Sequence, residues 1–189
     1  LLAAPLIDND TEILIENPKE TPYLDITLYW LKQQGIQVEV ENDYRRMFVK
    51  GGQHYQPVRC TIPGDWSSAA FPLVAAVITG SEYTLTAVDF KDTQGDKEIV
   101  NILNQMNANI EIDDGNHRLL VHPNSTLHGN IEINVENIPD ALPALSVAAA
   151  MAKGKTVFTG IKNVRLKETD RVAVMQSELA KMGVRVEAD

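Results

Sequence analysis

The sequence predicts an α/β fold made of one repeated unit, and two observations support this. The first is an internal repeat. Gly35-Ile36-Gln37-Val38-Glu39 returns 72 residues on as Asn107-Ala108-Asn109-Ile110-Glu111, and 76 further on as Gly183-Val184-Arg185-Val186-Glu187. The same offsets carry Lys19-Glu20-Thr21 to Lys91-Asp92-Thr93 and then to Lys167-Glu168-Thr169. The second is the alternation of pattern inside each copy. Stretches with helical apolar spacing alternate with β-rich runs, which argues for strands connected across helices.

Each copy reads as helix, strand, helix, strand, with a further strand in the first two. The small-residue helices are a remnant at Leu1 to Leu6, then Ser68 to Thr79 and Leu142 to Lys153. Their alanines predict close packing inside the fold. The next strands are Thr11 to Glu16, Tyr83 to Val88 and Thr156 to Ile161. Amphipathic helices follow, expected to face outwards. Their apolar positions are Leu24, Leu28 and Leu31; Ile99, Ile102, Leu103 and Met106; and Val172, Met175, Leu179 and Met182. The third of these is expected over Asp170 to Met182. Hairpin returns are expected over Tyr44 to Lys50 and His117 to His122, the second after an Asp114-Gly115-Asn116 turn. A last strand is expected over Val184 to Ala188.

Composition narrows the function. With 26 acidic and 17 basic residues the net charge is -9, which disfavours general binding of nucleic acid or of an anionic membrane. Cys60 is the only cysteine, so no internal disulfide can form, in keeping with a reducing compartment. The four histidines show no metal-ligand spacing, and the apolar runs are too short to span a bilayer. No signal peptide is visible. The uncapped start and the strand-like end read as those of an internal piece of a longer protein.

Three stretches carry candidate chemistry, each at a helix start. Lys162, Arg165, Lys167 and Arg171 cluster before and at the last helix, against the sign of the whole chain. Arg171 would face the positive end of the helix dipole, which points to an anion there. Glu168 beside these cations is an acid/base candidate. The bland alternative is a strand-to-helix turn capped by Thr169. Because Lys-Glu/Asp-Thr occurs three times, its common role is structural, and only the third copy continues with Asp170-Arg171. In Gly64-Asp65-Trp66-Ser67-Ser68, a serine is expected to cap the helix, with anion binding as the functional alternative. In Asn137-Ile138-Pro139-Asp140, Asp140 reads as an N-cap or as a general base. If the copies pack about a pseudo-symmetry axis, these starts converge and attract a small polyanion.

These residues are similar to the middle part of the 5-enolpyruvylshikimate-3-phosphate synthase family, shikimate-pathway enzymes inhibited by glyphosate. The resemblance runs along the whole chain. It is carried by Pro22-Tyr23-Leu24-Asp25-Ile26-Thr27-Leu28, Val49-Lys50-Gly51-Gly52-Gln53, Gly64-Asp65-Trp66-Ser67-Ser68-Ala69-Ala70-Phe71, Gln94-Gly95-Asp96 and Ile138-Pro139-Asp140-Ala141. The most specific carrier is Asn163-Val164-Arg165-Leu166-Lys167-Glu168-Thr169-Asp170-Arg171.

The resemblance implies the enolpyruvyl transferase two-lobed fold, only partly present. Residues 1–62 would be the last unit of the N-terminal-type lobe, and residues 63–189 the larger part of the C-terminal-type lobe. It implies transfer of the enolpyruvyl group of phosphoenolpyruvate to the 5-hydroxyl of shikimate 3-phosphate, without metal or organic cofactor. The protein would be a cytoplasmic monomer.

By resemblance, Asp140 is the proton acceptor near the hydroxyl and Glu168 a proton-transfer group near C3. Asn163, Lys167 and Tyr23 contact shikimate 3-phosphate, Lys167 with a share in proton transfer, and Arg171 clamps phosphoenolpyruvate. Glu20 stands where the family often has a phosphate-binding serine. The family's N-terminal lysine, serine and arginine, its Gly-rich loop and its Ser-Ser-Gln motif would precede Leu1. A further arginine and lysine would follow Asp189, so the chain alone is expected to have little or no activity. Two alternatives stay open. One is the sister family acting on UDP-N-acetylglucosamine, whose catalytic cysteine lies on a loop unlike that of Cys60. The other is a non-catalytic scaffold of the same repeat.

Overall fold

A computed structural model describes residues 1–123 and 126–188; Asp189, the last residue of the expected second part, lies outside them. The chain divides into two compact units, one of Leu1–Ile62 with Asp92–Gln94, the other of Pro63–Lys91 with Gly95–Asp189.

In the first unit, strand β1 (Thr11–Leu14) leads into helix α1 (Thr21–Gln33), then into β2 (Val38–Glu41) and β3 (Arg46–Val49). The sheet order is β1-β3-β2, with β3 antiparallel to both neighbours. Helix α1 begins with Pro22 in its first turn, where no N–H is needed. It ends before Gly35, whose φ of +78° closes the helix as a side chain would not. Its Leu31 is buried with Met47 and Val49 of β3. The remnant at the N-terminus is a single 3-10 turn, Ala4–Leu6.

The second unit opens with α2 (Trp66–Thr79), followed by β4 (Tyr83–Thr86), a 3-10 turn at Gly95–Glu98, α3 (Ile99–Gln105), β5 (Ile110–Asp113) and β6 (Arg118–Val121). Its sheet order, β4-β6-β5, repeats the first. The repeat also holds in register. Thr11 and Val38 face Val49 in the first sheet, and Tyr83 and Ile110 face Val121 in the second, 72 positions on in every case. The hairpin turn expected at Asp114-Gly115-Asn116 is a 3-10 turn over those residues, and the left-handed residue that closes it is His117, with φ 51°.

Strand β7 (Ile131–Asn134) comes next, then a 3-10 turn at Pro139–Ala141, α4 (Leu142–Met151), β8 (Thr156–Thr159), a 3-10 turn at Val164–Leu166 and α5 (Arg171–Lys181). β7 and β8 pair in parallel across α4. Sequence reading did not anticipate β7. It also placed a strand at Val184–Ala188 that does not form among the described residues. The matching segments of the other copies are held by the returning strands β3 and β6, and the third copy has no such strand within this chain.

The core of this unit lies between the small-residue helices. Ala69, Ala70, Ala144 and Ala148 are buried where α2 packs against α4, as their small side chains allow. The amphipathic helices differ. In α3, Ile99, Ile102 and Leu103 are buried, and so is Met106 just past its end. In α5 only Leu179 is buried, and Met182, just beyond its last turn, is 79% exposed.

Candidate functional site

Three helix starts of the second unit line one cavity of about 440 Å³. Its walls are Ser67, Ser68 and Phe71 from α2, Asp140 and Pro143 at the start of α4, and Glu168 and Arg171 at the start of α5. Convergence of helix starts was the expectation drawn from the repeat, and within this unit it holds.

The caps differ from those expected. Helix α2 is capped by Asp65, whose carboxylate accepts from the N–H of Ser67 at 3.3 Å and of Ser68 at 3.0 Å. The hydroxyl of Ser67 donates to both oxygens of Asp65, and that of Ser68 donates to Oδ2. A carboxylate accepts two amides at once, so the serines are held by the cap and do not supply it. Trp66 anchors this start. It is fully buried, its Nε1–H donates to the carbonyl of Asp89 at 3.2 Å, and its ring meets Phe90 edge-on at 4.8 Å. Helix α5 is capped by Asp170, which accepts from the N–H of Ala173 at 3.0 Å; Thr169 has no part in it. Asp140 is not a cap either. It sits in the 3-10 turn, Ala141 occupies the cap position of α4, and no side chain caps it.

The carboxylate of Asp140 is turned instead towards Arg171. Nη1 of Arg171 donates to Asp140 Oδ1 and to the carbonyl of Pro139 at 3.3 Å. Its other edge faces Glu168: Nη2 donates to Oε1 at 3.0 Å and to Oε2 at 3.2 Å, and Nε donates to Oε1 at 3.2 Å. One guanidinium therefore joins two carboxylates that lie on different segments, a planar-fork geometry that lysine cannot reproduce. The side chain of Arg171 is 18% exposed, that of Asp140 33% and that of Glu168 70%. The cation at the positive end of α5 is thus balanced by two acids, Glu168 and Asp140, while Asp170 caps the helix.

Burial works against the charge on Arg171, but the hydrogen bonds from Asp140 and Glu168, with their charges, outweigh it and hold the guanidinium above its ordinary value. Glu168 is held below the ordinary glutamate range by a hydrogen bond from its own N–H and by the hydrogen bond and charge of Arg171; the negative charge of Asp140 opposes this. Burial pushes Asp65 up, yet the hydroxyls and amides of Ser68 and Ser67 bring it below the ordinary range. All three groups are charged near neutral pH. The site offers a fixed cation, two carboxylates and two capped helix starts around one space, which suits an anion whose reaction needs proton transfer.

Of the residues proposed from sequence, Asp140, Glu168 and Arg171 meet. Lys167, half-buried, follows the Val164–Leu166 turn, and Asn163 stands at its start. Tyr23 is in the first turn of α1, in the other unit, where its N–H donates to the carbonyl of Glu20 at 3.0 Å. Glu20 itself adopts a left-handed backbone, φ 53°. Arg165 was read as one of four clustered cations and Asp65 as part of the turn before α2, but the pairing of Arg165 with Asp170 and the capping role of Asp65 were not foreseen. Asp65 had a readable signal, an acid directly before an apolar helix. Cys60 is exposed, in the first unit. Among the described residues, no cluster of three or more His, Cys, Asp or Glu side chains is placed to hold a metal ion, and no helix is long and apolar enough to cross a membrane.

The chain resembles proteins of one kind. Proteins named 3-phosphoshikimate 1-carboxyvinyltransferase match it at 46% identity over 186 residues in Ruminiclostridium cellulolyticum and 41% over 191 residues in Methanococcus maripaludis. The alignments take in 98% and 99% of this chain but only 43% and 44% of those proteins. The solved EPSP synthase of Acinetobacter baumannii superposes on 95% of the chain with a TM-score of 0.74 and 33% identity, using 41% of its own length. The enolpyruvyl transferase NikO from Streptomyces tendae shares the fold at a TM-score of 0.67 and 16% identity. The family model for EPSP synthase (3-phosphoshikimate 1-carboxyvinyltransferase) matches residues 1–189, and this chain, spanning less than half the length of its relatives, belongs to that family.

Proposed function

We propose that this chain supplies a large part of the active site for enolpyruvyl transfer from phosphoenolpyruvate to the 5-hydroxyl of shikimate 3-phosphate. The observation that carries the reading is the bridge of Arg171 between Asp140 and Glu168 in a cavity rimmed by helix starts. In the reaction the 5-hydroxyl oxygen adds to C2 of phosphoenolpyruvate while C3 gains a proton. Phosphate then leaves C2 and C3 loses a proton, giving the enol ether. Asp140 accepts the hydroxyl proton and Glu168 serves the proton at C3. Arg171 clamps the phosphoenolpyruvate carboxylate. Lys167 and Asn163 hold shikimate 3-phosphate, with Lys167 sharing in proton transfer, and Tyr23 contacts the same substrate. Residues 1–62 belong to the N-terminal-type lobe and residues 63–189 to the C-terminal-type lobe of a cytoplasmic monomer.

The test is a chimera in which residues 1–189 replace the matching segment of the Ruminiclostridium cellulolyticum relative, assayed for phosphate release in the presence of both substrates. Turnover is expected, with Asp140→Asn lowering kcat by about 10²–10⁴-fold. A folded chimera that binds neither substrate would refute the reading. Saturable binding of shikimate 3-phosphate to the chain itself, followed by Trp66 fluorescence and lost in Lys167→Met, is the direct check on Lys167.

A further inference from the structure

The arginine assigned above to a substrate carboxylate is already occupied by two carboxylates of the protein. Every hydrogen bond described for its Nε–Nη2 edge goes to Glu168, and those of Nη1 go to Asp140 and to the carbonyl of Pro139. An incoming carboxylate that needs a two-pronged grip must displace one of them, because guanidinium donors are few and fixed in a plane.

Exposure decides which one leaves. Glu168 is 70% exposed, on the segment between the Val164–Leu166 turn and α5, and exposed pairs of this kind contribute little. Asp140 is 33% exposed, follows buried Pro139 and precedes fully buried Ala141, and is backed by a second acceptor on the same nitrogen. Breaking that side leaves a less hydrated charge unpaired, which costs more.

Resting on the reading of Arg171 as the phosphoenolpyruvate clamp, we propose a carboxylate exchange: the substrate carboxylate takes the guanidinium edge held by Glu168, Asp140 stays paired, and Glu168 is released into the cavity able to hold a proton. The charged groups acting on Glu168 are Arg171, at the start of α5, and Asp140, from the turn before α4; across the cavity α2 presents the Ser67 and Ser68 hydroxyls, both donating to Asp65. Before exchange the paired Glu168 is charged. After it the favourable partner is gone and Asp140 remains, so Glu168 binds a proton more readily. Arrival of the substrate thus switches on the group that serves C3.

The experiment is a carbon-13 carboxylate NMR titration of Glu168 in this chain, free and saturated with phosphoenolpyruvate, with Arg171→Gln alongside and Arg171→Lys in reserve if that variant fails to fold. Free Glu168 is expected to titrate below the ordinary glutamate value of 4.5 and to return towards it in the Arg171 variant. Phosphoenolpyruvate is expected to move it the same way in the unmodified chain. Glu168→Gln, which removes the competitor, should bind phosphoenolpyruvate severalfold more tightly. Saturable binding that leaves the Glu168 titration unmoved would overturn the exchange and spare the assignment of Arg171. Should the chain alone not bind, the same titration is made in the chimera, and absence of phosphoenolpyruvate binding there would overturn both.

Discussion

Arg165 Nη1 donates to Asp170 Oδ2 at 3.0 Å, while the other oxygen of the same carboxylate accepts from the N–H of Ala173 at 3.0 Å. One carboxylate thus ties the Val164–Leu166 turn to the first turn of α5 and closes a short loop around Lys167 and Glu168. The first copy has Asn17 and Pro22 at these positions and the second has Asp89 and Gln94, so neither can form the pair. Arg165→Met should therefore quicken amide exchange at Lys167 to Thr169 while leaving the middle of α5 protected. Asp170→Ala should quicken both. Unchanged exchange at Lys167 to Thr169 in Arg165→Met would show that the pair has no mechanical role.

Asp65 serves four donors at the start of α2, two amides and two hydroxyls. Asp65→Ala should lower stability by about 1 kcal/mol in urea unfolding, the usual worth of a cap, and Asp65→Asn by less. The carboxylate is held below its ordinary value of 3.8, so its contribution is complete above that pH and is lost as pH falls through the depressed value. The difference in stability between the unmodified chain and Asp65→Asn should shrink below pH 3.8. A difference that stays constant into that range would count against the cap.

Gly160, between β8 and the Val164–Leu166 turn, has φ +69°, and a Cβ there would lie 2.3 Å from Oδ1 of Asn134. Gly52 has nearly the same φ, +67°, with nothing within 4 Å. Gly52→Ala should cost about 1 kcal/mol, the backbone penalty alone. Gly160→Ala should cost clearly more and disturb the segment leading to Lys167. A Cβ at Gly160 would also lie 2.9 Å from the backbone nitrogen of Glu136, so equal unfolding midpoints for the two variants would show that both Asn134 and Glu136 yield freely.

Tyr44 Oη donates to Asp25 Oδ1 at 2.5 Å, joining the β2–β3 hairpin to α1. That hydrogen bond, then burial and the charges of Asp25 and Asp43, push the phenol up to about 12. One of the five tyrosines should titrate about two pH units late in an absorbance titration, and Tyr44→Phe should remove that step. The raised group favours the folded state below pH 10, and this advantage fades between pH 10 and about 12. In Tyr44→Phe the loss of alkaline stability over that window should be smaller.

Much of this was legible because the repeat carries its own register. Strands β1 to β6 and helices α1 to α5 fall within a few residues of the sequence reading, since apolar spacing and the recurring Lys-Glu/Asp-Thr turn report local structure directly. The meeting of Asp140, Glu168 and Arg171 followed from their places at helix starts. What escaped depended on partners distant in sequence. Asp140 reads as a cap until Arg171, thirty-one positions on, is seen to take its carboxylate. Val184 to Ala188 has the pattern of a strand, but pattern without a neighbouring strand forms no ladder. The caps of α2 and α5 were misassigned for a simpler reason: where an acid and a hydroxyl residue lie within three positions of each other, spacing alone does not say which side chain the amides find.

The matched register of the first two sheets has a consequence for how such a chain can change. From β1 to Lys19 and from β4 to Lys91 the spacing is the same, whereas β8 ends at Thr159 and Lys167 comes three residues later than that spacing would give, the length of the Val164–Leu166 turn. An unequal crossover between the first two copies would join strands in phase and preserve every pairing. A crossover from β8 into the turn of either earlier copy would delete that extra turn and bring the helix start forward with nothing to seat it. The duplicated architecture makes its ordinary copies interchangeable by recombination, and the extra turn sets the third apart from that exchange.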